Sequence, residues 1–219
     1  MKVNEFFRWI FKLREKREEG WVIERRVLKR RAIDQVTSPA IEVTNVAGNN
    51  KMTSERTAKL VDAILEAWTK CLKPPYGSGE FSPDDGSTDC NRFVHEVCVK
   101  LGFAGFEGLR ANKMFELMDK DDHWLDVSGA TAAYYANLGG LIVAAWKNPD
   151  PDKSGHVAIV RPGMAGSSAQ WDVSTKDIPK IANVGPAQTC RLDRGANFAF
   201  GKDSRPTYFF WTVSLKKDI

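Results

Sequence analysis

The rhythm of this chain changes at one place, the glycine pair Gly139–Gly140. Before it, apolar residues recur every three or four positions; after it, they come in short unbroken runs. Over residues 54–72 a stripe of Leu60, Val61, Ile64, Leu65 and Trp68 marks an amphipathic helix. "CNRFVHEVCVKL" places Phe93, Val94, Val97, Cys98 and Leu101 on one face of a second helix that begins near Cys90. "RANKMFELMDK" and "SGATAAYYANLGG" read as two shorter helices, the latter stopped by the glycine pair. Beyond it, "LIVAAW" and "HVAIVRP" flank the turn-rich "KNPDPDKSG" and read as a hairpin, with further strands predicted in "AQWDVS", "KIANV" and "TYFFWTV". Helices followed by strands predict an α+β domain with a mainly antiparallel sheet.

With 219 residues, 42% of them hydrophobic and 27% charged, the chain has enough apolar content for a sizeable core and is not of the disordered class. Its net charge of +4 is unevenly spread: residues 1–35 hold 11 Lys and Arg against 6 Asp and Glu, the remainder 21 against 22. This basic segment, 1–35, carries Phe6, Trp9, Ile10 and Leu13 at helical spacing, a pattern suited to docking on its own domain, a membrane surface or a protein partner. Its apolar run is broken by Arg8 and Lys12 and has no small-residue cleavage pattern, so neither a spanning helix nor a signal peptide is expected. Residues 36–53 read as a linker with loop or edge-strand character, and 54–219 as the main domain. No nucleic-acid partner is expected.

The helix start at Cys90 raises a chemical question. A cysteine is more often a small buried residue than a nucleophile. Here, however, Ser87, Thr88 and Asp89 are residue types that cap helix N-termini, and first-turn N–H groups facing a sulfur favour its thiolate. Cys98, two turns on and on the apolar face, belongs to the core. A thiolate also needs a base brought to it by the fold. His156 opens the strand "HVAIV" directly after Gly155, on the face shared with Ala158 and Val160, where histidine is a poor choice without a task. His95 points roughly 140° away from Cys90 around the helix, and His123 falls in the acidic loop "DKDDHW". A third polar side chain would fix the tautomer of the histidine. The candidates are Asn183, Asp172 and Gln188; Asn183 is favoured because an amide in an otherwise apolar strand needs a partner, although an Asn in a turn before Gly185 fits the pattern equally well.

"TDCNRFV" at a helix start, the "LIVAAW" strand and the later "SGHVAIV" together resemble the papain-like bacterial cysteine amidases and peptidases of the NlpC and CHAP type, over roughly residues 54–213. The resemblance implies a papain-like fold, with the nucleophile helix packed on the sheet, and a Cys-His hydrolase that cuts amide bonds in the peptide stems of peptidoglycan. Cys90 matches the nucleophile and His156 the general base. Asn91 stands where many relatives have serine, so Asp89 and Asn91 are expected at the substrate pocket. Trp124 is expected as a wall of the sugar-peptide cleft, one of seven tryptophans suited to that role. No cofactor is implied. The chain would be made in the cytoplasm and would act in the periplasm or cell wall, after lysis as a phage lysin does or after delivery as an antibacterial effector is. The effector case implies a dedicated immunity protein. Two alternatives stay open: a non-hydrolytic binding protein on the same fold, and a papain-like enzyme acting on another acyl substrate.

Other chemistry is poorly supported by the sequence. Four cysteines without a CxxC pair and three scattered histidines argue against a structural zinc site. "DPDKSG" opens like a calcium loop, but Arg161 stands where the bidentate glutamate is required. A Cys71–Cys190 disulfide is open from the sequence, with reduced thiols the expectation.

Overall fold

The computed structural model describes residues 47–71, 89–185 and 190–215; the basic N-terminal segment and Gln188 lie outside them. Four α-helices are present among these residues: α1 (Ala47–Cys71), α2 (Cys90–Lys100), α3 (Ala111–Lys120) and α4 (Gly129–Asn137). The helix α1 starts within the segment read from sequence as a loop or edge strand, because Ala47 to Met52 contains nothing that stops a helix except one glycine. Eight strands accompany the helices: β1 (Trp124–Val127), β2 (Ile142–Trp146), β3 (His156–Val160), β4 (Gly166–Ser168), β5 (Val173–Ile178), β6 (Lys180–Asn183), β7 (Arg191–Gly195) and β8 (Thr207–Trp211). The protein is thus α+β, and every strand pair is antiparallel.

Six strands form one sheet in the order β1-β8-β2-β3-β6-β7, and β4 and β5 form a separate hairpin. The expected β2–β3 hairpin is present, with Trp146 directly opposite His156. "AQWDVS" is not one strand. Ala169–Trp171 is a turn of 3-10 helix, and Asp172 takes the left-handed conformation (φ 53°), which breaks the run before β5 begins.

The central strands are apolar on both faces because both faces are covered. On one face Val143, Ala145, Val157, Ile159, Phe209 and Trp211 pack with α1, α2 and α3. On the other, Ile142, Ala144, Ala158, Val160, Tyr208 and Phe210 pack with Ala132 and Ala136 of α4 and with Trp171 and Ile178 around the β4–β5 hairpin. Ser128 caps α4 by accepting the N–H of Thr131. At the other end of α4, Gly139 (φ +79°) lies where a Cβ would strike the backbone of Arg56 and Thr57 in α1, so the glycine allows the two helices to approach. No helix among the described residues is long and apolar enough to cross a membrane.

Candidate active site

Cys90 is the first residue of α2, and that helix packs across β3. Its helical phase is set by Phe93, Val94, Val97 and Cys98, all fully buried against the sheet. The Asp89 side chain makes no capping bond at this helix start; its carboxylate pairs instead with Arg92 at 3.0 Å. Asn91 is also occupied, donating from Nδ2 to the Leu109 carbonyl at 2.9 Å and so anchoring the loop that leads into α3. Asp89 and Asn91 therefore border the nucleophile while holding its surroundings in shape. Ser87 and Thr88 lie outside the described residues.

His156, at the first residue of β3, sits at the end of the sheet where the two packed layers meet. Its ring lies 5.0 Å from that of Phe200, which belongs to the second layer, and it hydrogen-bonds Cys90, which belongs to the first. The Nε2 atom lies 2.6 Å from Asn183 Oδ1. An amide oxygen only accepts, so Nε2 carries the proton and Nδ1 is left for the sulfur. Asn183 is the last residue of β6 and is 1% exposed. It is one of two buried polar side chains among the described residues, and its oxygen is spent on the histidine ring. Asp172, the alternative third residue, is turned to solvent beside Lys202.

The electrostatics of His156 follow from this geometry. Burial alone would lower its pKa below the ordinary 6.5. The hydrogen bond to Cys90 and the charge on its sulfur, with the bond to Asn183, outweigh burial, and the net shift is upward. The raised value favours the imidazolium form of the ring beside the sulfur. Cys98, by contrast, is fully buried among apolar side chains, and burial pushes its thiol far above the ordinary range.

The strand end that carries His156 is held by a residue that sequence reasoning missed. Asn112, in the first turn of α3, accepts the Asn148 N–H at 3.0 Å and donates to the Lys153 carbonyl at 2.9 Å, clasping both ends of the β2–β3 loop. Gly155, immediately before the histidine, passes so close to Asn112 and to the Trp146 carbonyl that a Cβ has no room. Neither contact leaves a local sequence signal, because the partners lie 36 and 41 residues apart.

Trp124 lies in the hydrophobic core. It is 4% exposed and sits among Phe103, Phe106 and Trp211, where a large ring gains more from aromatic packing than from solvent. The tryptophan beside the site is Trp146, half-buried and directly across the strand pair from His156. His123 is exposed and bonded to Asp121, away from this constellation. Cys190 donates from Sγ to the Gly185 carbonyl at 3.2 Å, and the side chain of Cys71, the other half of the bridge left open by the sequence, lies outside the described residues. Among the described residues no group of three His, Cys, Asp or Glu side chains is placed to hold a metal ion.

A cysteine at a helix start, a histidine on the adjoining strand and an amide behind the histidine make up the parts of a nucleophilic acyl-transfer site. No protein-family model and no curated protein matches the chain.

Proposed function

We propose that this protein is a papain-like cysteine hydrolase of the NlpC and CHAP type that cuts amide bonds in peptidoglycan stems, as an amidase or endopeptidase. The observation that carries the reading is the Cys90–His156–Asn183 alignment, with the His156 pKa raised by the sulfur and the amide beside it. The α+β architecture, with the cysteine helix packed on an antiparallel sheet, supports it.

In this reading the Cys90 thiolate attacks the amide carbonyl, and the oxyanion is met by backbone N–H at the start of α2, where the Asp89 side chain makes no capping bond. His156 then donates its Nδ1 proton to the departing amine, leaving a thioester. Water that gives its proton to the same nitrogen cleaves the thioester and restores the thiolate. Asn183 keeps the ring in the tautomer and orientation both steps need. Delivery by lysis or by a secretion machine, with an immunity protein in the second case, belongs to the same proposal.

The test is mass spectrometry of purified peptidoglycan after incubation with the wild type and with Cys90→Ala and His156→Ala. New fragments from the wild type that are absent with both variants are expected, and their masses name the scissile bond. Unchanged muropeptides with folded wild-type protein would overturn the cell-wall assignment.

A further inference from the structure

The strand β7 is at one edge of the six-stranded sheet, next to β6, and is rich in cations. In the β6–β7 pairing Asn183 stands opposite Arg191, and Ile181 opposite Arg194, with an irregularity in the register between them. Residues directly opposite in an antiparallel pair share a face, with Cβ atoms about 5 Å apart. Arg191 is therefore the cross-strand neighbour of the amide that holds the candidate catalytic histidine.

Both guanidinium groups gather on one exposed ring. Phe198, 43% exposed, has the Arg191 guanidinium carbon 6.0 Å and that of Arg194 5.9 Å from its centroid. Phe198 lies two residues before Phe200, which packs on the His156 ring. Among the described residues the Arg191 guanidinium donates to the Cys190 carbonyl, and neither guanidinium is paired with a carboxylate. Two more cations attach to the same edge: Arg161 donates to the Leu192 carbonyl and Lys180 to that of Asp193. Asp193 lies between the two arginines in sequence but forms no ion pair with either among the described residues, and two like charges stationed on one ring beside a catalytic constellation form a site preorganised for an anion.

We propose that Arg191 and Arg194, held on Phe198, form a carboxylate-binding subsite that makes the hydrolase selective for acyl substrates carrying an acidic group. The inference rests on the Cys-His reading above for the position of the scissile bond. Along the sheet, the two strand spacings from β7 through β6 to β3 amount to about 10 Å, a distance a peptide spans with about three extended residues. The acidic group therefore sits a few residues from the bond that Cys90 attacks.

Binding tests this without requiring turnover. The full chain with Cys90→Ala is titrated calorimetrically with a synthetic stem peptide bearing a free side carboxylate, and with the same peptide bearing a carboxamide there. The acid is expected to bind about tenfold more tightly than the amide. Arg191→Gln with Arg194→Gln should bring the two affinities to within about twofold, and Arg191→Lys should give an intermediate ratio. In the protein with both arginines intact, raising salt from about 0.05 to 0.5 M should shrink the ratio, since the arginines are exposed. Equal affinity for acid and amide, no binding of either, a ratio that survives the double substitution or one indifferent to salt would each overturn the subsite. Failure of the hydrolytic reading shows separately, as wild-type protein that leaves muropeptides intact.

Discussion

At His156 two opposing influences on one ring can be separated by substitution. With Cys90→Ala the sulfur charge and its hydrogen bond disappear while burial remains, so the histidine pKa should fall from above 6.5 in the wild type to near or below it. NMR titration of the ring protons reads this directly, and an unchanged value would mean that the sulfur does not face the ring. The sign also sets a pH profile. A raised pKa extends the imidazolium above the ordinary 6.5 and loses it as pH rises through the shifted value, so the alkaline limb of kcat/KM should lie above 6.5. Asn183→Ala removes the oxygen 2.6 Å from Nε2, and should lower kcat by roughly 10- to 100-fold while moving that limb downward. A kcat unchanged in a folded variant would reduce Asn183 to a packing role. Much of this site was legible in the chain: a cysteine at a helix start, a histidine where only apolar residues are comfortable, and an amide among aliphatics each break a local rule. Trp124 shows the limit. Whether a tryptophan faces a cleft or a core depends on Phe103, Phe106 and Trp211, and its own neighbours in sequence do not reveal it.

Among the elements, the β2–β3 hairpin governs where the histidine stands. Gly155→Ala forces a Cβ against the Trp146 carbonyl and Asn112, and should cost about 1–3 kcal/mol in denaturant unfolding, with a larger relative loss of activity than of stability. Asn112→Ala leaves the Asn148 N–H and the Lys153 carbonyl without their shared clasp. Because the Lys153 carbonyl is exposed and the Asn148 N–H only part-buried, stability should change by less than about 1.5 kcal/mol, while kcat falls more than KM changes. Equal losses in both kinetic parameters would place Asn112 in substrate binding instead. The helices and the hairpin could be read from periodicity, but β1 and β7 could not. β1 is four residues long, and "RLDRG" in β7 is an exposed edge whose charges carry no alternation of polar and apolar residues. Those same charges protect a sheet edge from pairing with other chains.

Across the whole molecule, α+β was readable from the order of rhythms, whereas the strand order was not, because pairing between distant segments leaves no local mark. The bond from Thr212 to the His123 carbonyl joins residues 89 apart, and β8 inserts between β1 and β2. Phe209, 2% exposed and edge-on to Phe115 at 5.2 Å, ties β8 to α3. Phe209→Ala should cost about 3–5 kcal/mol in urea unfolding, and a loss below about 1 kcal/mol would show that β8 is peripheral. The placement of β8 also bears on how the protein is made. A ribosome supplies β1, β2 and β3 well before β8, so the growing chain holds a gap in the middle of its sheet and two unpaired strand edges. Until Thr207–Trp211 arrives, β2 can pair on one side only, and the hairpin carrying His156 has no complete sheet to rest on. A chain stopped short of that segment should therefore be both inert and prone to aggregate, with β8 the strand whose arrival closes the gap in the sheet.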